Sequence, residues 1–481
     1  MTLAVVSEFL HKHPQLTAMR LDSRQVQPGD LFIAMPGAAT DGRQYVQQAV
    51  AQGAAAVIVE ATGWNESFSS TVPVLLVENL KSQLAEIATY FYKDPSHNLR
   101  VIGITGTNGK TSTSNYIAQL FDYVGIKCGI MGTLGNGFLD NLLPSLLTTS
   151  DCCTLQHQLF EFSQAQAKFV AMEVSSIGLS DGRLLRTQID TAVFTNLSQD
   201  HLDYHHTMED YFAAKCKLFA EYAPKHCVIN LDDEYSQRLL DIIPRTSRVI
   251  TYSLLNPAAD LYYADGVIHT LWGAGQLVTK LIGKFNISNV LAALGSCAVQ
   301  GIPMQTLLKA ASNLNAVPGR MQTVLCKNPQ APRVVVDYAH TPDALIKALQ
   351  TLQEYKQQNL ICIIGCGGDR DRSKRPLMLR AVIENSDRVI ITQDNPRTED
   401  PQQIVNDMLA GQQLNATTII EMDRAIAIQH AISAASGQDL ILIAGKGHED
   451  YQIIGTTKLP FSDVLVAQQA LEARGEKAWT L

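Results

Sequence analysis

The sequence lacks the features that mark several large classes of protein. Only 17% of its 481 residues are charged, its net charge is −8 and no basic run occurs, so we expect no nucleic-acid partner. No apolar run approaches the roughly 20 residues of a membrane-spanning helix. The opening stretch MTLAVVSEFLHKHP has no basic start followed by a long apolar core, so we expect a helix there and no signal peptide.

Cysteine usage excludes two further classes of site. The nine cysteines are odd in number, no C-x-x-C pair occurs, and Cys152 and Cys153 are adjacent. This pattern fits neither a disulfide framework nor a zinc site. We therefore expect a protein of the reducing cytoplasm.

What the chain does contain is the composition of an ordinary globular protein, with 46% apolar residues. Its length suggests roughly three domains. Short apolar segments alternate with helical stretches, which predicts an α/β fold with mostly parallel sheets. We place the domains at residues 1–90, 91–322 and 323–481, and short alternating pieces at 250–285 predict an antiparallel excursion. Strands are predicted at 31–35, 55–60, 74–77, 101–104, 127–131, 169–174, 192–195, 227–230, 333–336, 360–364, 388–392, 418–421 and 440–444.

Residues 101–111 read VIGITGTNGKT and predict a phosphate-binding loop. An apolar strand leads into a glycine turn, and Lys110 and Thr111 open a helix that Gly125 would end. Such a turn directs backbone N–H groups and a helix N-terminus at an anion. Lys110 could then reach the β- and γ-phosphates while Thr111 held a magnesium ion. The usual phosphate-loop pattern has a glycine where this chain has Ile104. The alternative interpretation is therefore a tight turn between strand and helix that is followed by a lysine without a phosphate-binding role.

Three further polar residues lie near predicted strand ends or on a following helix. Glu173 ends an apolar strand and is placed to hold magnesium beside the phosphate loop, although a solvated glutamate is the alternative. His201 follows the next strand and is either a metal ligand or a hydrogen-bonded loop histidine. The helical pattern around Lys215 by itself predicts a surface lysine.

The chain resembles the Mur ligase family in a series of motifs that occur in the family's order: TGTNGKT, EVSS, TNLSQDHLDYH, AAK, FNISN, PGRM, DYAHTPDAL, GCGGDRDRSKRP, DNPR and AGKGHEDYQ. The resemblance implies three α/β domains, with a central P-loop mononucleotide-binding parallel sheet and a Rossmann-like C-terminal domain. It also implies an ADP-forming, ATP-dependent amide ligase of peptidoglycan synthesis that works through an acyl phosphate. The most similar branch adds meso-2,6-diaminopimelate to UDP-MurNAc-L-Ala-D-Glu, and a monomer without nucleic-acid or membrane partners is expected.

The resemblance also implies site residues. The catalytic residues would be Lys110, Glu173, His201 and Lys215. Magnesium would be held by Thr111, Glu173, His201 and Lys215, the lysine as a carbamate. The co-substrate ATP would contact Gly106, Thr107, Asn108, Gly109, Lys110, Thr111, Ser112, Asn286, Asn289, Arg320 and Asp337. The UDP-linked precursor would contact Leu21, Ser23, Ala38, Ala39, Thr40, Thr148, Thr149, Ser175, Asp181 and Arg183. Diaminopimelate would contact Arg370, Asp394, Asn395, Pro396, Arg397, Gly445 and Glu449.

Arg397 would choose the amino acid, because a guanidinium can grip the second carboxylate that distinguishes diaminopimelate from lysine. Taken alone, DNPR could be a surface Asp–Arg pair, and Asn286 and Asn289 could be helix-cap or turn residues. The chain departs from the family pattern at three positions: Leu147 replaces the common asparagine, Ile177 the common histidine and Asp181 the usual glutamine.

Three alternative functions stay open. A ligase of the folylpolyglutamate synthetase type shares the ATP-dependent chemistry, although the LDSR segment before the phosphate loop and the DNPR run argue against it. A Mur ligase that adds L-lysine is the second alternative. A nucleotide-binding switch without ligase chemistry is the third.

Overall fold

The computed structural model describes residues 3–37, 40–64, 71–145, 147–326, 328, 330–412, 414 and 417–477. Their strands form sheets of four, eleven and six strands and one separate two-stranded hairpin. The predicted α/β class is therefore confirmed, while the domain limits at residues 90 and 322 stay predictions.

The first sheet is parallel throughout, with its strands side by side in chain order. It consists of β1 (Met19–Arg20), β2 (Leu31–Ala34), β3 (Ala56–Glu60) and β4 (Val74–Val77). Its helices are α1 (Leu3–Lys12), α2 (Val46–Ala51) and α3 (Leu80–Phe91). β2 and β3 are buried along their whole length because α1 and α3 pack on one face and α2 on the other. Burial on both faces explains why these strands are continuous apolar runs.

The central sheet has eleven strands. They are β5 (Arg100–Thr105), β6 (Cys128–Gly132), β7 (Gly135–Phe138), β8 (Asn141–Leu143), β9 (Phe169–Glu173), β10 (Thr191–Phe194), β11 (His226–Asn230), β12 (Arg248–Ser253), β13 (Leu261–Ala264), β14 (Val267–Thr270) and β15 (Gly273–Gln276). Its helices are α4 (Lys110–Tyr123), α5 (Cys152–Gln164), α6 (Ser176–Ser180), α7 (Leu202–His205), α8 (Met208–Ala220), α9 (Ser236–Ile242), α10 (Lys284–Ala298) and α11 (Met304–Ala311).

The middle of this sheet is parallel, in the order β12-β11-β10-β5-β9-β6. β13 also pairs parallel with β12, and antiparallel strands then extend both edges. The antiparallel pairing of β14 with β13 and β15 confirms the excursion predicted within 250–285. The opposite pair, β7 and β8, was not predicted, because residues 135–143, GNGFLDNLL, contain two glycines and do not alternate between apolar and polar side chains. β5 lies between β10 and β9, so the loop after β5 opens at the centre of the sheet's C-terminal edge, where open α/β sheets bind ligands.

The third sheet has the order β16-β17-β21-β18-β19-β20, and only β16 is antiparallel. Its strands are β16 (Gln322–Thr323), β17 (Arg333–Asp337), β18 (Leu360–Ile364), β19 (Arg388–Ile391), β20 (Thr418–Ile420) and β21 (Leu440–Ala444). Its helices are α12 (Pro342–Gln353), α13 (Lys374–Asn385), α14 (Pro401–Leu409), α15 (Arg424–Ala434) and α16 (Asp463–Lys477). The separate hairpin is β22 (Tyr451–Ile454) and β23 (Thr457–Pro460).

All thirteen predicted strands are present, and their ends agree with the prediction to within one residue. Each of the nine cysteines is a free thiol. In the described part of the chain, no helix has both the length and the apolar content that crossing a membrane requires.

Candidate active site

The loop between β5 and α4 has the conformation expected of a phosphate cradle. Gly106 and Gly109 have φ angles of +148° and +86°. A Cβ atom at Gly106 would collide with the Thr195 hydroxyl, and one at Gly109 with the Asn289 carboxamide, so both positions require glycine. Asn196 holds the loop, since its carbonyl accepts from the Thr107 N–H at 2.8 Å and its Oδ1 from the Asn108 N–H at 3.0 Å.

Lys110 is the first residue of α4, and its side chain lies against the preceding loop. Its Nζ donates to the carbonyls of Gly106 and Thr107, both at 2.8 Å. Burial lowers the pKa of Lys110, an effect that the Glu173 carboxylate opposes. The loop therefore places the Lys110 amine beside the N-terminus of α4, which is the end of a helix that favours a bound phosphate.

Glu173 ends β9 and is 1% exposed, so the solvated alternative is wrong. Its Oε2 accepts from the hydroxyls of Thr111 and Thr133, both at 3.0 Å, and its Oε1 accepts from the Thr133 N–H at 2.9 Å. Arg320, which precedes β16, has its Nη2 3.3 Å from the Thr111 hydroxyl, and its guanidinium lies 4.2 Å from the centre of the Tyr338 ring. Residues of three separate segments therefore meet at Thr111.

Lys215 lies on α8 and is 2% exposed, so the surface position predicted from the helical pattern is wrong. Its Nζ donates to the Gly106 carbonyl at 2.9 Å and lies 4.4 Å from the centre of the Tyr211 ring. Burial holds the pKa of Lys215 well below its ordinary value, and the nearby Lys110 ammonium lowers it further. Helical spacing could not show this, because α8 packs against β5 and thereby covers the lysine.

His201 precedes α7 in a left-handed conformation, with φ of +54°. Its Nε2 lies 3.5 Å from Oδ2 of Asp200, and burial lowers the pKa of His201 to about 4, which favours the neutral imidazole. The sequence analysis missed three residues around it. Asp200 is 5% exposed and accepts from Lys374 Nζ at 3.2 Å, and His340 Nε2 lies 3.7 Å from Asp200 Oδ2. These residues occur in the motifs QDH, SKRP and DYAH, but only the fold shows that they meet.

The residues expected on the adenine and ribose side of ATP are buried. Asn286 and Asn289 lie inside α10, so they are not helix caps. Asn286 donates to the Ile282 carbonyl at 2.8 Å and accepts from the Tyr116 hydroxyl at 3.1 Å. Asp337 ends β17, and its oxygens accept the N–H groups of Met321 and Ala339 at 2.6 and 2.8 Å. Burial raises the pKa of Asp337, although Arg320 opposes the shift. Ser112 is buried in the first turn of α4.

Five residues expected to contact the sugar and peptide of the precursor form a group beside Glu173. The Thr149 hydroxyl donates to the Glu173 carbonyl at 2.9 Å, and the Thr148 and Thr133 hydroxyls are 3.2 Å apart. Arg183 donates to the Thr149 carbonyl at 2.9 Å and to Asp181 at 2.7 Å. Ser175 caps α6 by accepting from the Gly178 N–H at 3.0 Å.

The residues expected to contact the uridine nucleotide lie apart from this group, beside the first sheet. Leu21 packs against the apolar core there, the Ser23 hydroxyl donates to Gln48 at 3.2 Å, and the Thr40 and Tyr45 hydroxyls are 3.2 Å apart. Ala38 and Ala39 lie outside the described residues. Of the other departures from the family pattern, Leu147 is exposed and Ile177 is half-buried in α6.

The DNPR run follows β19 and contacts the residues after β21, and we call this group of residues the amino-acid pocket. Asn395 donates to Glu449 at 2.8 Å, and Gly445 has a φ of +114° that brings its backbone against the Asp394 carboxylate. Arg397 donates to the Gly368 carbonyl at 2.8 Å. Of the other two residues expected to contact diaminopimelate here, Pro396 is buried and Arg370 is exposed. Arg370 donates to the Asp369 carbonyl at 3.0 Å.

Lys446 is a residue of this pocket that the sequence analysis missed. It is fully buried, with Nζ 3.0 Å from Glu449, 3.1 Å from Asn395 Oδ1 and 3.9 Å from Asp394. Asp394 thus faces a lysine inside the protein, so the alternative of a surface Asp–Arg pair is wrong. The motif AGKGHEDYQ contains this lysine, but the sequence analysis assigned a role only to Gly445 and Glu449 of that run.

The donor atoms around Thr111 suit magnesium. Among the described residues no group of three or more His, Cys, Asp or Glu is arranged to hold a metal ion. The buried Glu173 carboxylate and the Thr111 hydroxyl nevertheless present adjacent oxygen atoms, which is the ligand type that magnesium prefers.

Comparisons with known proteins cover nearly the whole chain. Residues 15–92 match the model described as Mur ligase family, catalytic domain, residues 104–297 the Mur ligase middle domain, and residues 319–447 the Mur ligase, glutamate ligase domain. A UDP-N-acetylmuramoyl-L-alanyl-D-glutamate–2,6-diaminopimelate ligase of Coxiella burnetii is 45% identical, covering 95% of this chain and 96% of the relative. The corresponding ligase of Pseudomonas aeruginosa is 47% identical, covering 95% of each chain.

Solved structures agree with this result. A UDP-N-acetylmuramoyl-L-alanyl-D-glutamate–2,6-diaminopimelate ligase superposes with a TM-score of 0.64 at 38% identity, covering 96% of this chain and 95% of that one. A folylpolyglutamate synthase of Mycobacterium tuberculosis shares the fold alone, with a TM-score of 0.61 at 18% identity, over 80% of this chain and 93% of that one. The phosphate loop, the buried Glu173 and the full-length relatives agree, and the chain belongs to the Mur ligase family.

Proposed function

We propose that this chain joins the amino group of meso-2,6-diaminopimelate to the γ-carboxylate of D-glutamate in UDP-N-acetylmuramoyl-L-alanyl-D-glutamate. ATP is converted to ADP and phosphate in the same reaction. The observation that carries the proposal is the meeting at Thr111 of Glu173 from the end of β9 and Arg320 from the segment before β16. Relatives at 45–47% identity that are named for this reaction support it.

The chemistry explains why the site combines cations with a phosphate loop. A carboxylate is a poor electrophile, so the γ-phosphoryl group of ATP is first transferred to it, which gives an acyl phosphate and ADP. The amine then attacks the acyl carbon and phosphate leaves. Lys110 and Arg320 offset the repulsion between the carboxylate and the phosphates, which is the largest obstacle to bringing them together.

We assign the magnesium ligands to Thr111, Glu173, His201 and the carbamate of Lys215. Glu173 and Thr111 are the oxygen donors of this set that are already adjacent. Magnesium, when bound, supplies charge neutralisation at the phosphoryl oxygens. The neutral imidazole of His201 is the form that coordinates a metal ion.

The carbamate of Lys215 follows from its environment. An amine adds carbon dioxide only in its neutral form, and burial beside Lys110 favours that form. The new N–C bond forms as the nitrogen releases a proton to solvent, and the product is an anion that the nearby Lys110 ammonium would attract. It would also add oxygen ligands beside Glu173.

The substrates are assigned to the three parts of the chain in order. The uridine nucleotide lies against the first sheet at Leu21, Ser23 and Thr40. ATP lies between the loop at 106–112 and residues Asn286, Asn289, Arg320 and Asp337. Diaminopimelate lies in the pocket of Asp394, Asn395, Arg397 and Glu449, with Arg370 at its rim. We place the reaction in the cytoplasm and assign it to a monomer.

One assay separates the candidate reactions: phosphate release from ATP, measured with and without the muramoyl dipeptide and with each amino acid in turn. The proposed enzyme releases phosphate only when the dipeptide and diaminopimelate are both present. A folylpolyglutamate synthetase would ignore the dipeptide, and a switch would hydrolyse ATP without either substrate. Equal turnover of L-lysine would contradict the assignment of diaminopimelate.

A further inference from the structure

The backbone of Arg397 is in an unfavourable conformation that something outside its own loop must hold. Its φ angle of +53° lies in the left-handed region, which non-glycine residues rarely adopt because Cβ crowds the carbonyl oxygen. Such conformations persist where the surrounding structure over-determines them. The direction of the Arg397 side chain depends on this conformation.

The hairpin of β22 and β23 makes the contacts that hold it. The Arg397 N–H donates to the Ile453 carbonyl at 3.0 Å, and the Arg397 carbonyl accepts from the Gly455 N–H at 2.7 Å. The two hydrogen bonds flank the strained residue on both sides. Gly455 forms the turn of the hairpin with a φ of +59°, so its N–H depends on the turn conformation.

The same hairpin contacts two other residues of the DNPR run. The Gln452 side chain donates to the Asp394 carbonyl at 2.6 Å. The Ile453 N–H donates to Asn395 Oδ1 at 2.9 Å, the atom that also accepts from Lys446 Nζ at 3.1 Å. One short hairpin is therefore bonded to every residue of this run except the proline.

We infer that the β22–β23 hairpin is a positioning element that sets the amino-acid selectivity of the pocket by holding Arg397 in its left-handed conformation. The inference rests on the proposed function, since it concerns the diaminopimelate pocket. Gln452 and Gly455 act through Arg397, with Gln452 anchoring the start of the run and Gly455 its end. With the hairpin loosened, Arg397 relaxes to an ordinary conformation, and its guanidinium leaves the place where the second carboxylate binds.

The test compares two hairpin variants with matched controls. Gln452→Ala removes one hydrogen bond. Gly455→Ala strains the turn because alanine is unfavourable at a φ of +59°, and it adds no steric clash, since the new methyl group meets no atom within 4 Å. The control for the first is Thr457→Ala, an exposed position on the same hairpin. The control for the second is Gly411→Ala, which has a similar φ of +72° and equally open surroundings outside the hairpin.

We expect both hairpin variants to raise KM for meso-diaminopimelate by about tenfold. Their KM for ATP, KM for the muramoyl dipeptide and kcat should stay at the wild-type values, while their preference for diaminopimelate over L-lysine falls. The inference is overturned if KM for diaminopimelate changes by less than about twofold. It is also overturned if all three KM values rise together with a loss of thermal stability greater than that of Gly411→Ala. Failure of the proposed function would appear separately, as a wild-type enzyme that forms no amide with diaminopimelate.

Discussion

The Lys374 ammonium lies 3.2 Å from Oδ1 of Asp200, and this buried ion pair joins the third sheet's layer to the central one. Two weaker contacts cross the same boundary, from Asn108 to Asp343 at 3.4 Å and from Gln199 to Ser373 at 3.5 Å. Because Asp200 neighbours the proposed metal ligand His201, we expect closure of the two layers against each other to be needed for assembly of the site.

Replacing Lys374 should therefore impair closure. Lys374→Ala leaves the Asp200 carboxylate buried without its lysine partner, which is costly enough to favour an open arrangement. We expect kcat/KM to fall by about tenfold or more and the radius of gyration with ATP and dipeptide bound to exceed that of the wild type. Small-angle scattering and steady-state kinetics measure the two quantities. Lys356→Ala, which breaks a pair with Asp387 within the third sheet's layer, should change neither.

The carbamate at Lys215 can be tested by chemical rescue. Lys215→Ala removes the amine, and we expect activity to be lost and then partly restored by short carboxylic acids that occupy the space of the carbamate. Carbon-13 NMR of wild-type protein in labelled bicarbonate should show a carbamate signal that the variant lacks. Absence of both the signal and the rescue would contradict the assignment.

Arg397→Ala should act on the choice of amino acid. The loss of a partly buried charge pair with the second carboxylate should lower kcat/KM for meso-diaminopimelate by about a hundredfold. Turnover of L-lysine, which lacks that carboxylate, should change far less. Competition assays with both amino acids measure the ratio, and the exposed Arg380→Ala is the control. An equal loss for both amino acids would contradict the prediction.

The third sheet's layer depends on a buried ion pair behind the amino-acid pocket. Arg424 and Asp463 have fully buried side chains 2.7 Å apart, and Arg424 also donates to the Ala444 carbonyl at 2.9 Å. Arg424→Ala leaves a buried carboxylate unpaired, which should lower the free energy of unfolding by about 3–5 kcal/mol. Urea denaturation followed by circular dichroism measures it. Arg24→Ala, which removes an exposed ion pair with Asp22, should leave the unfolding midpoint where it is.

His448 should make the protein less stable in mild acid. Burial lowers the pKa of His448 to about 3, and the Arg320 guanidinium contributes in the same direction. A histidine in the unfolded chain has a pKa of about 6.5, so below that pH the unfolded chain binds a proton at this residue while the folded protein does not. The free energy of unfolding therefore falls as the pH drops from about 6.5 towards 3. The melting temperature of His448→Asn should therefore fall less between pH 7 and pH 5 than that of the wild type. The exposed His430→Asn should retain the wild-type pH dependence.

The local features of the fold could be predicted from the sequence because they depend on neighbouring residues. Apolar runs located the thirteen strands, because most of these strands are buried along nearly their whole length and are therefore rich in apolar residues. The turn at Gly106 and Gly109 was also predictable, because glycine is the residue that adopts positive φ angles most readily. The hairpin at β7 and β8 was missed because its glycine-containing segment does not alternate between apolar and polar side chains.

What the sequence by itself determined about this protein is the position of thirteen strands, the phosphate loop and, through its motifs, the family. Only the tertiary structure decided that Lys215 is buried, that Lys446 lies under the amino-acid pocket, and that Lys374 meets Asp200 from 174 positions away. The physical reason is that burial and charge pairing depend on which helices and strands pack together. The spacing of apolar residues within one helix or strand does not show which other element it will pack against.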